Sequence, residues 1–219
     1  MLTMDAKEII ARRVALEFKD GNVVNLGIGI PTLVADYIPQ DINVLLHSEN
    51  GYIGLGPAVH PIDPDVVNAG AKPASVIAGG AMFDSVMSFA IVRGGHLDFT
   101  VLGALEVDSS GNLANWMVPG KIVPGMGGAM DLVVGAKQVI VAMEHAAKDG
   151  APKIVKECTL PLTGKSVITK IVTNLAVFCV TKLGLELTEV APGVTVEQVR
   201  GATEAEFSIS PFLIEMAIS

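Results

Sequence analysis

A single carboxylate stands out among the side chains that could do chemistry. Glu49 directly follows the polar pair His47-Ser48 and the apolar residues 44–46, and Asn50-Gly51 come next. A strand that ends in such a turn can project one carboxylate from a rigid scaffold into a cleft. A glutamate is ordinarily ionised at neutral pH, and its carboxylate can attack an activated acyl group to form an anhydride without a general base. The sequence therefore predicts Glu49 as a nucleophile.

The neighbours of Glu49 do not offer a second nucleophile. If the strand continues to Glu49, His47 and Glu49 point to one face and Ser48 to the other, so a contiguous Ser-His-Glu triad is excluded. The chain also lacks the GxSxG elbow of a nucleophilic serine. An acid before Asn-Gly is common in ordinary turns, so these residues alone are also compatible with a structural role.

Two glycine-rich turns could supply donors for the oxyanion of such an attack. Gly27 and Gly29 follow the apolar residues 23–26, and Gly127-Gly128 lie in a later glycine-rich segment. Glycine permits close approach to the backbone, and one oxyanion donor is worth on the order of 10² to 10³ in rate. Gly27 and Gly29 lack the third glycine of the dinucleotide fingerprint, and Gly127-Gly128 could also be only a helix start.

The elements that must position these residues alternate along the chain. Apolar runs predict strands at residues 23–26, 44–46, 76–78, 99–102, 139–143 and 175–180, and helical spacing predicts helices at 5–19, 33–37, 85–92 and 195–205. A second glycine turn is expected at 79–84, and the residues after Ser208 show no clear pattern. This alternation predicts an α/β fold, an open, mostly parallel sheet flanked by helices, with residues 1–219 in one domain. Its functional face is expected at the carboxyl ends of the strands.

Composition excludes several classes of protein. A formal net charge of -8 and an isoelectric point near 4.9 argue against nucleic-acid binding. Mean hydropathy is high at +0.53, yet no apolar stretch reaches the ~18 residues of a membrane span. The apolar surface in excess of what the core needs is therefore expected to face another subunit. The four histidines form no HxxxH pair and the two cysteines no CxxC pair, so no metal site is predicted. Acidic residues in the first helix argue against a transit peptide, and a cytoplasmic protein is expected.

Several motifs in order resemble the β subunit of the 3-oxoacid coenzyme A transferases. The resemblance runs from about residue 7 to about residue 205 and rests on the segments 25–32, 48–51, 54–56, 83–85, 93–96, 113–116, 119–121 and 125–132. It implies that Glu49 attacks an acyl-CoA thioester to give an acyl-glutamyl anhydride. The released CoA thiolate then forms a glutamyl-CoA thioester, and a second acid reverses the sequence in ping-pong fashion.

The resemblance also implies the ligands and partners. CoA would be a substrate, with no tightly bound cofactor, and its site would be lined by Gly27, Ile28, Gly29, Ile30, Pro31, Asn50, Gly51, Gly127 and Gly128. The partner would be an α subunit in an α₂β₂ heterotetramer, with no nucleic acid and no membrane involved. Acetoacetate is the expected acid, exchanging with acetate, butyrate or succinate, and 3-oxoadipate is compatible. The alternatives are an acyl-CoA hydrolase using the same Glu49 intermediate and a non-catalytic ligand-sensing domain.

Overall fold

The computed structural model describes residues 4–121 and 125–218. Its helices are α1 (Ala6–Ala15), α2 (Ile30–Leu33), α3 (Ser85–Arg93), α4 (Ala129–Gly135) and α5 (Val196–Ala202), and a 3-10 helix spans Val34–Tyr37. Its strands are β1 (Val23–Leu26), β2 (Leu45–Ser48), β3 (Tyr52–Gly56), β4 (Ser75–Met82), β5 (Phe99–Leu102), β6 (Glu106–Asp108), β7 (Leu113–Ala114), β8 (Gln138–Ala142), β9 (Ile154–Val155), β10 (Lys170–Val172), β11 (Ala176–Thr181), β12 (Gly184–Val190) and β13 (Phe207–Glu215). None of the helices in these described ranges combines the length and the apolar character that crossing a membrane requires.

One large sheet carries most of the strands. Its order is β13-β12-β11-β10-β8-β5-β1-β2-β3-β4, and a separate small sheet has the order β7-β6-β9. The central strands β10, β8, β5, β1 and β2 run parallel to one another. Antiparallel pairs extend the sheet on both sides, through β11 and β12 and through β3 and β4. The predicted α/β fold with a mostly parallel sheet is confirmed.

The sheet has an apolar core on each face, because side chains alternate along a strand. On β8, Val139 and Val141 belong to the core that also contains residues of α3, α4 and α5. The intervening Ile140 and Ala142 belong to the second core, which packs under α1. Burial on both faces explains why the central strands are continuous apolar runs rather than alternating ones.

Salt bridges attach α1 to the far half of the sheet. Arg13 reaches Glu189 of β12 (Nε to Oε2, 2.6 Å) and Glu17 (Nη1 to Oε1, 2.7 Å), and Lys170 of β10 reaches the other oxygen of Glu17 at 2.6 Å. Burial alone would raise the pKa of Glu17, but the hydrogen bond and charge of Lys170 and the charge of Arg13 lower it below its usual value. The network is therefore held in its ionised form.

Most predicted elements are confirmed, with shifted ends. The predicted strands 23–26 and 99–102 coincide with β1 and β5, and the first helix ends at Ala15 rather than at residue 19. The helix predicted at 33–37 is a short α-helix followed by the 3-10 turn. The last helix begins after Thr195, whose side chain accepts from Gln198 N–H as part of a capping box.

The expected glycine turn at 79–84 is wrong. Gly79 and Gly80 lie inside β4, at an irregularity where Ile53 pairs with Ala81 but Leu55 pairs with Val76. Gly79 has φ +86°, so these glycines allow a bulge that bends the strand without ending it. The helix α3 starts only after Asp84, whose side chain accepts a hydrogen bond from Met87 N–H.

The chain after Ser208 also forms structure that the sequence did not indicate. β13 spans Phe207–Glu215 and pairs in parallel with β12 at one edge of the sheet. Its pairing shifts between Leu187 and Glu189, and Pro211 lies within it. Proline within a strand is tolerated at an edge or a bulge, which explains why the apolar pattern is interrupted here.

Candidate active site

Glu49 lies in the tight turn of the β2–β3 hairpin. β2 ends at Ser48, which pairs with Tyr52 at the start of β3, so that residues 49–51 form the connection. Gly51 has φ +124°, and its N–H donates to Ser48 O at 3.0 Å. A Cβ at Gly51 would lie 2.1 Å from Phe83 O, and Phe83 N–H donates to Gly51 O at 2.9 Å. The turn is thus fixed both within the hairpin and against the residue that precedes α3.

The Glu49 carboxylate faces the glycine pair that precedes α4. Gly128 N–H donates to Glu49 Oε1 at 3.1 Å. A Cβ at Gly128 would lie 2.7 Å from Glu49 Oε2 and 3.0 Å from the ring of Phe89, and one at Gly127 would lie 3.1 Å from Oε1. Side chains at these two positions would therefore occupy the space of the carboxylate. The structure brings together Glu49 and Gly127-Gly128, which are far apart in the sequence.

The side chains on either side of Glu49 fasten the turn to a neighbouring loop. The Ser48 hydroxyl donates to Asn50 Oδ1 at 2.7 Å and accepts from Ala69 N–H at 3.1 Å. Asn50 Nδ2 donates to Val67 O at 2.8 Å. Since the Ser48 hydroxyl is engaged in these contacts, the structure gives it no role as a nucleophile. The two residues instead hold the loop of residues 57–74 beside Glu49.

His47, two residues before Glu49, is buried in the protein interior. It is 2% exposed, and its ring hydrogen-bonds through Nε2 to Ser88 Oγ at 3.1 Å and through Nδ1 to Asn25 Nδ2 at 3.3 Å. Burial lowers the pKa of His47 to about 4, so the ring is neutral at neutral pH. His47 and Glu49 both lie on the side of α3, since His47 contacts Ser88 and Glu49 contacts Gly128 beside Phe89, although the strand itself ends at Ser48. His47 connects β1, β2 and α3 beneath the hairpin.

The turn of residues 27–31 lies beside Glu49 on the next strand. Asn25 of β1 pairs with His47 of β2, so the ends of both strands reach the same level of the sheet. Gly27 N–H donates to Val101 O at 2.8 Å, and Gly29 has φ +97°. Ile28 is 71% exposed at the tip of this turn, Ile30 begins α2, and Pro31 is buried. The structure thus places the predicted CoA-binding turn at the same sheet edge as Glu49.

A cavity of about 340 Å³ continues along this edge, and we call it the β8-edge cavity. Its wall consists of Ile30, of the last residue of β8 and of residues that follow β5 and β8: Gly103, Ala104, Leu105, Ala142, Met143, Glu144, Ala146, Ala147, Lys148 and Lys153. Neither Lys148 nor Lys153 is among the predicted site residues. The rule that ligands bind beyond the carboxyl ends of parallel strands could have drawn attention to them, since both follow the predicted strand 139–143. Within residues 4–121 and 125–218, no three His, Cys, Asp or Glu side chains group as metal ligands would.

Comparison with known proteins identifies the family. The family described as coenzyme A transferase matches residues 7–202. The beta subunit of the acetate CoA-transferase of Escherichia coli K12 is 58% identical over 207 residues, which cover 94% of this chain and 95% of that protein. The corresponding subunit of the probable succinyl-CoA:3-ketoacid coenzyme A transferase of Bacillus subtilis is 50% identical over 210 residues, covering 94% of this chain and 96% of that one.

A solved structure agrees with these sequence matches. The crystal structure of an acyl-CoA transferase from Escherichia coli O157:H7 in a thioester complex with CoA matches with a TM-score of 0.78 and 26% identity. The match covers 100% of this chain and 44% of that longer chain. The family match and the relatives confirm the resemblance that the ordered motifs indicated. The chain therefore belongs to the coenzyme A transferase family and corresponds to the β subunit.

Proposed function

We propose that this β subunit moves CoA between an acyl-CoA and a short-chain carboxylic acid, with Glu49 as the covalent carrier. The observation that carries the proposal is the hydrogen bond from Gly128 N–H to Glu49 Oε1 at 3.1 Å, beside two glycines that leave room for the carboxylate. A reactive carboxylate needs an anchored backbone, a donor and open space for a substrate. The hairpin turn anchors the backbone of Glu49, and Gly128 N–H is the donor. The missing Cβ atoms of Gly127 and Gly128 leave the open space.

The position of the donor supports a covalent chemistry in two steps. Glu49 attacks the thioester carbonyl, the C–S bond breaks, and the products are an acyl-glutamyl anhydride and CoA thiolate. The thiolate then attacks the glutamyl carbon, which releases the first acid and leaves a glutamyl-CoA thioester. In that second step negative charge develops on a Glu49 oxygen, and Gly128 N–H is placed to stabilise it. A second carboxylate reverses both steps, so the kinetics are ping-pong.

The substrate class rests on the named relatives. One is named for acetate, and another for succinyl-CoA and a 3-ketoacid. We infer acetoacetate as the 3-oxo acid, with acetate, butyrate or succinate as the exchanging acid. Both cysteines, Cys158 and Cys179, are free thiols, which supports a reducing cytoplasm as the compartment.

The partner in this proposal is an α subunit, in an α₂β₂ heterotetramer. Each of the two relatives is named as one subunit of its enzyme, which supports a second kind of chain. Large apolar side chains are exposed near the Glu49 hairpin, including Met82 (65%), Val86 (78%) and Met87 (54%). An exposed apolar patch of this kind is typical of a surface covered by another protein.

The test is covalent trapping at Glu49 in the chain co-expressed with its α subunit. After treatment with acetoacetyl-CoA and borohydride, mass spectrometry is expected to find Glu49 reduced to the alcohol. Glu49→Gln, which keeps the shape of the side chain, is expected to lose both the trapped product and CoA exchange. Exchange that persists in Glu49→Gln would remove the nucleophile from the proposal. If the untrapped reaction with acetate present gave mainly free CoA and free acid instead of acetyl-CoA, a hydrolase would be favoured.

A further inference from the structure

Two neighbouring residues of α3 contact the site, and the proposed covalent chemistry uses neither of them. Ser88 is fully buried, and its hydroxyl lies 3.1 Å from His47 Nε2, on the strand that leads to Glu49. Phe89, the next residue, lies against the glycine pair before α4, since a Cβ at Gly128 would be 3.0 Å from its Cε1 and Cζ atoms. The helix α3 is therefore joined both to the strand of the carboxylate and to the backbone of its donor.

The ring edge of Phe89 borders the Glu49 carboxylate. The position that a Gly128 Cβ would take is 3.0 Å from two ring carbons and 2.7 Å from Glu49 Oε2. Non-bonded carbon atoms ordinarily stay about 3.5 Å or more apart, so the glycine hydrogen fits at this position and a water molecule does not. The ring, the glycine and the carboxylate thus close this side of the site without space for solvent.

The two oxygens of the Glu49 carboxylate have different surroundings. Oε1 accepts from Gly128 N–H at 3.1 Å, whereas Oε2 has no donor among the residues that the structure describes. Oε2 borders the Phe89 ring instead. The edge of a phenyl ring carries the positive part of its quadrupole, so it tolerates the negative charge, yet it offers no polar group that could hold a water molecule. Oε2 is thus the oxygen available for attack, and it lies beside an apolar group.

Contacts between α3 and α4 hold the ring in position. Arg93 lies over the Phe89 ring, with its Cζ 5.5 Å from the ring centroid. The Nε of Arg93 donates to Asp131 Oδ1 of α4 at 2.7 Å. At the other end of α4, Gly135 packs so closely against the carbonyl of Val92 that a Cβ would not fit. The ring is therefore fixed between the two helices before any substrate binds.

The covalent intermediates on Glu49 need an apolar wall because both can react with water. Water that attacks the glutamyl carbon of the glutamyl-CoA thioester breaks the C–S bond, and the products are the Glu49 carboxylate, the free CoA thiol and one proton. Water that attacks the acyl-glutamyl anhydride gives two carboxylates and two protons. Either event ends the cycle without transfer. A site that transfers CoA must therefore keep water away from these carbons.

We propose that Phe89 excludes water from the intermediates on Glu49 and thereby sets the ratio of CoA transfer to hydrolysis. This inference rests on the proposed function, since it requires a covalent intermediate on Glu49. A smaller side chain would vacate space beside Oε2, between the polar groups of Glu49 and Gly128. A water molecule is stable in a space that offers both room and polar partners. Water in this space would lie next to the glutamyl carbon.

The first test measures the fate of CoA when Phe89 is made smaller. Phe89→Ala and Phe89→Val are made in the complex with the α subunit and assayed with acetoacetyl-CoA and acetate, and acetyl-CoA and free CoA are measured separately. Phe89→Ala is expected to raise the ratio of free CoA to acetyl-CoA about tenfold, which corresponds to about 1.4 kcal/mol in the relative barriers. Phe89→Val keeps more apolar volume and is expected to raise the ratio by less. Phe212→Ala, which removes a ring that is 84% exposed on β13, is the matched control and should leave the ratio unchanged.

The second test follows the isolated glutamyl-CoA complex. The enzyme is treated with acetoacetyl-CoA, separated from small molecules and incubated in ¹⁸O-labelled water without any acid. In Phe89→Ala the bound CoA is expected to be lost about tenfold faster than in the wild type, a change of about 1.4 kcal/mol in the barrier. Each loss should leave one labelled oxygen in the Glu49 carboxylate, which mass spectrometry of its peptide detects. Phe89→Val decides the question if Phe89→Ala does not assemble with the α subunit.

The outcomes separate this inference from the covalent mechanism. Equal rates of CoA loss in the wild type and the Phe89 variants would overturn the role of Phe89 and leave Glu49 as the covalent carrier. Faster loss without label in Glu49 would also overturn it, because the CoA would then have left by a route other than hydrolysis at the glutamyl carbon. A wild-type complex that retains no CoA on Glu49 would overturn the proposed function and this inference with it.

Discussion

At the scale of single residues, the central contact is the hydrogen bond from Gly128 N–H to the Glu49 carboxylate. The carboxylate accepts the Gly128 N–H, and both glycines before α4 are in contact with the space it fills. Ser48 and Asn50, which flank the glutamate, contact the loop of residues 57–74 and leave Glu49 free toward the cleft. The motif therefore combines one carboxylate that faces a backbone donor with two residues that hold its turn in place.

We expect Gly128→Ala to inactivate the enzyme without unfolding it. The added Cβ would lie 2.7 Å from Glu49 Oε2 and would push the carboxylate from its donor. Loss of the donor geometry should lower kcat by about 10² or more, with a much smaller change in the affinity for CoA. Gly201→Ala is the control, because a Cβ at that helical position meets no atom within 4 Å. Steady-state kinetics with both variants checks this, and near-normal kcat in Gly128→Ala would contradict it.

At the scale of elements, α1 is attached to the sheet by buried charges as well as by apolar contacts. Ile10 and Val14 are fully buried against the second core, and Arg13 on the same helix enters the network with Glu17 and Glu189. Removal of one member of a buried ion-pair network leaves its partners without compensation. The helix thus depends on Arg13 more than an amphipathic pattern would suggest.

Arg13→Ala is expected to lower the free energy of unfolding by about 2 to 4 kcal/mol, because it leaves the mostly buried Glu189 without a cationic partner and leaves Glu17 with Lys170 alone. Arg12→Ala is the matched control one position earlier. Arg12 pairs with Glu8 at a site where both side chains are about one-third exposed, so its loss should cost about 1 kcal/mol or less. Urea unfolding of both variants gives the comparison. Equal losses would show that the buried network does not stabilise α1.

At the scale of the whole molecule, two buried neutral histidines make stability depend on pH. Burial lowers the pKa values of His47 and His145 to about 4 from an ordinary value of 6.5. The unfolded chain therefore takes up protons before the folded one does, and stability falls as the pH drops from 6.5 toward 4. Well above pH 6.5 both states are neutral at these positions and the effect disappears.

Each histidine is expected to remove about 2 kcal/mol of stability between pH 7 and pH 5. His145→Gln, which can still hydrogen-bond to a threonine hydroxyl, should show about half of the wild-type decrease. Denaturant titrations at pH 7, 6 and 5 measure both slopes. Parallel curves for the two proteins would show that His145 does not titrate as its burial requires.

The sequence predicted the parts of the molecule that depend on local pattern. β1 and β5 were found at their observed bounds, because each is a short apolar run between turn residues. The contact between Glu49 and Gly128 could not be read from their spacing, since 79 positions separate them and only the packing of the β2–β3 hairpin beside α4 brings them together. Only the family resemblance had placed the two at one site. β13 was missed because its pattern is broken at Pro211, and the prediction that residues 1–219 form a single domain stays a prediction.

The order of the central strands has a further consequence for the ligands that this edge of the sheet can hold. Glu49 and the β8-edge cavity lie on the same edge of one hydrogen-bonded sheet, so their separation is a fixed number of strand widths. Because hydrogen-bonded strands connect the two places, that span cannot easily shorten or lengthen to suit a different ligand. A ligand shorter or longer than the span could not contact Glu49 and the cavity at the same time. The sheet would then discriminate among ligands by their length.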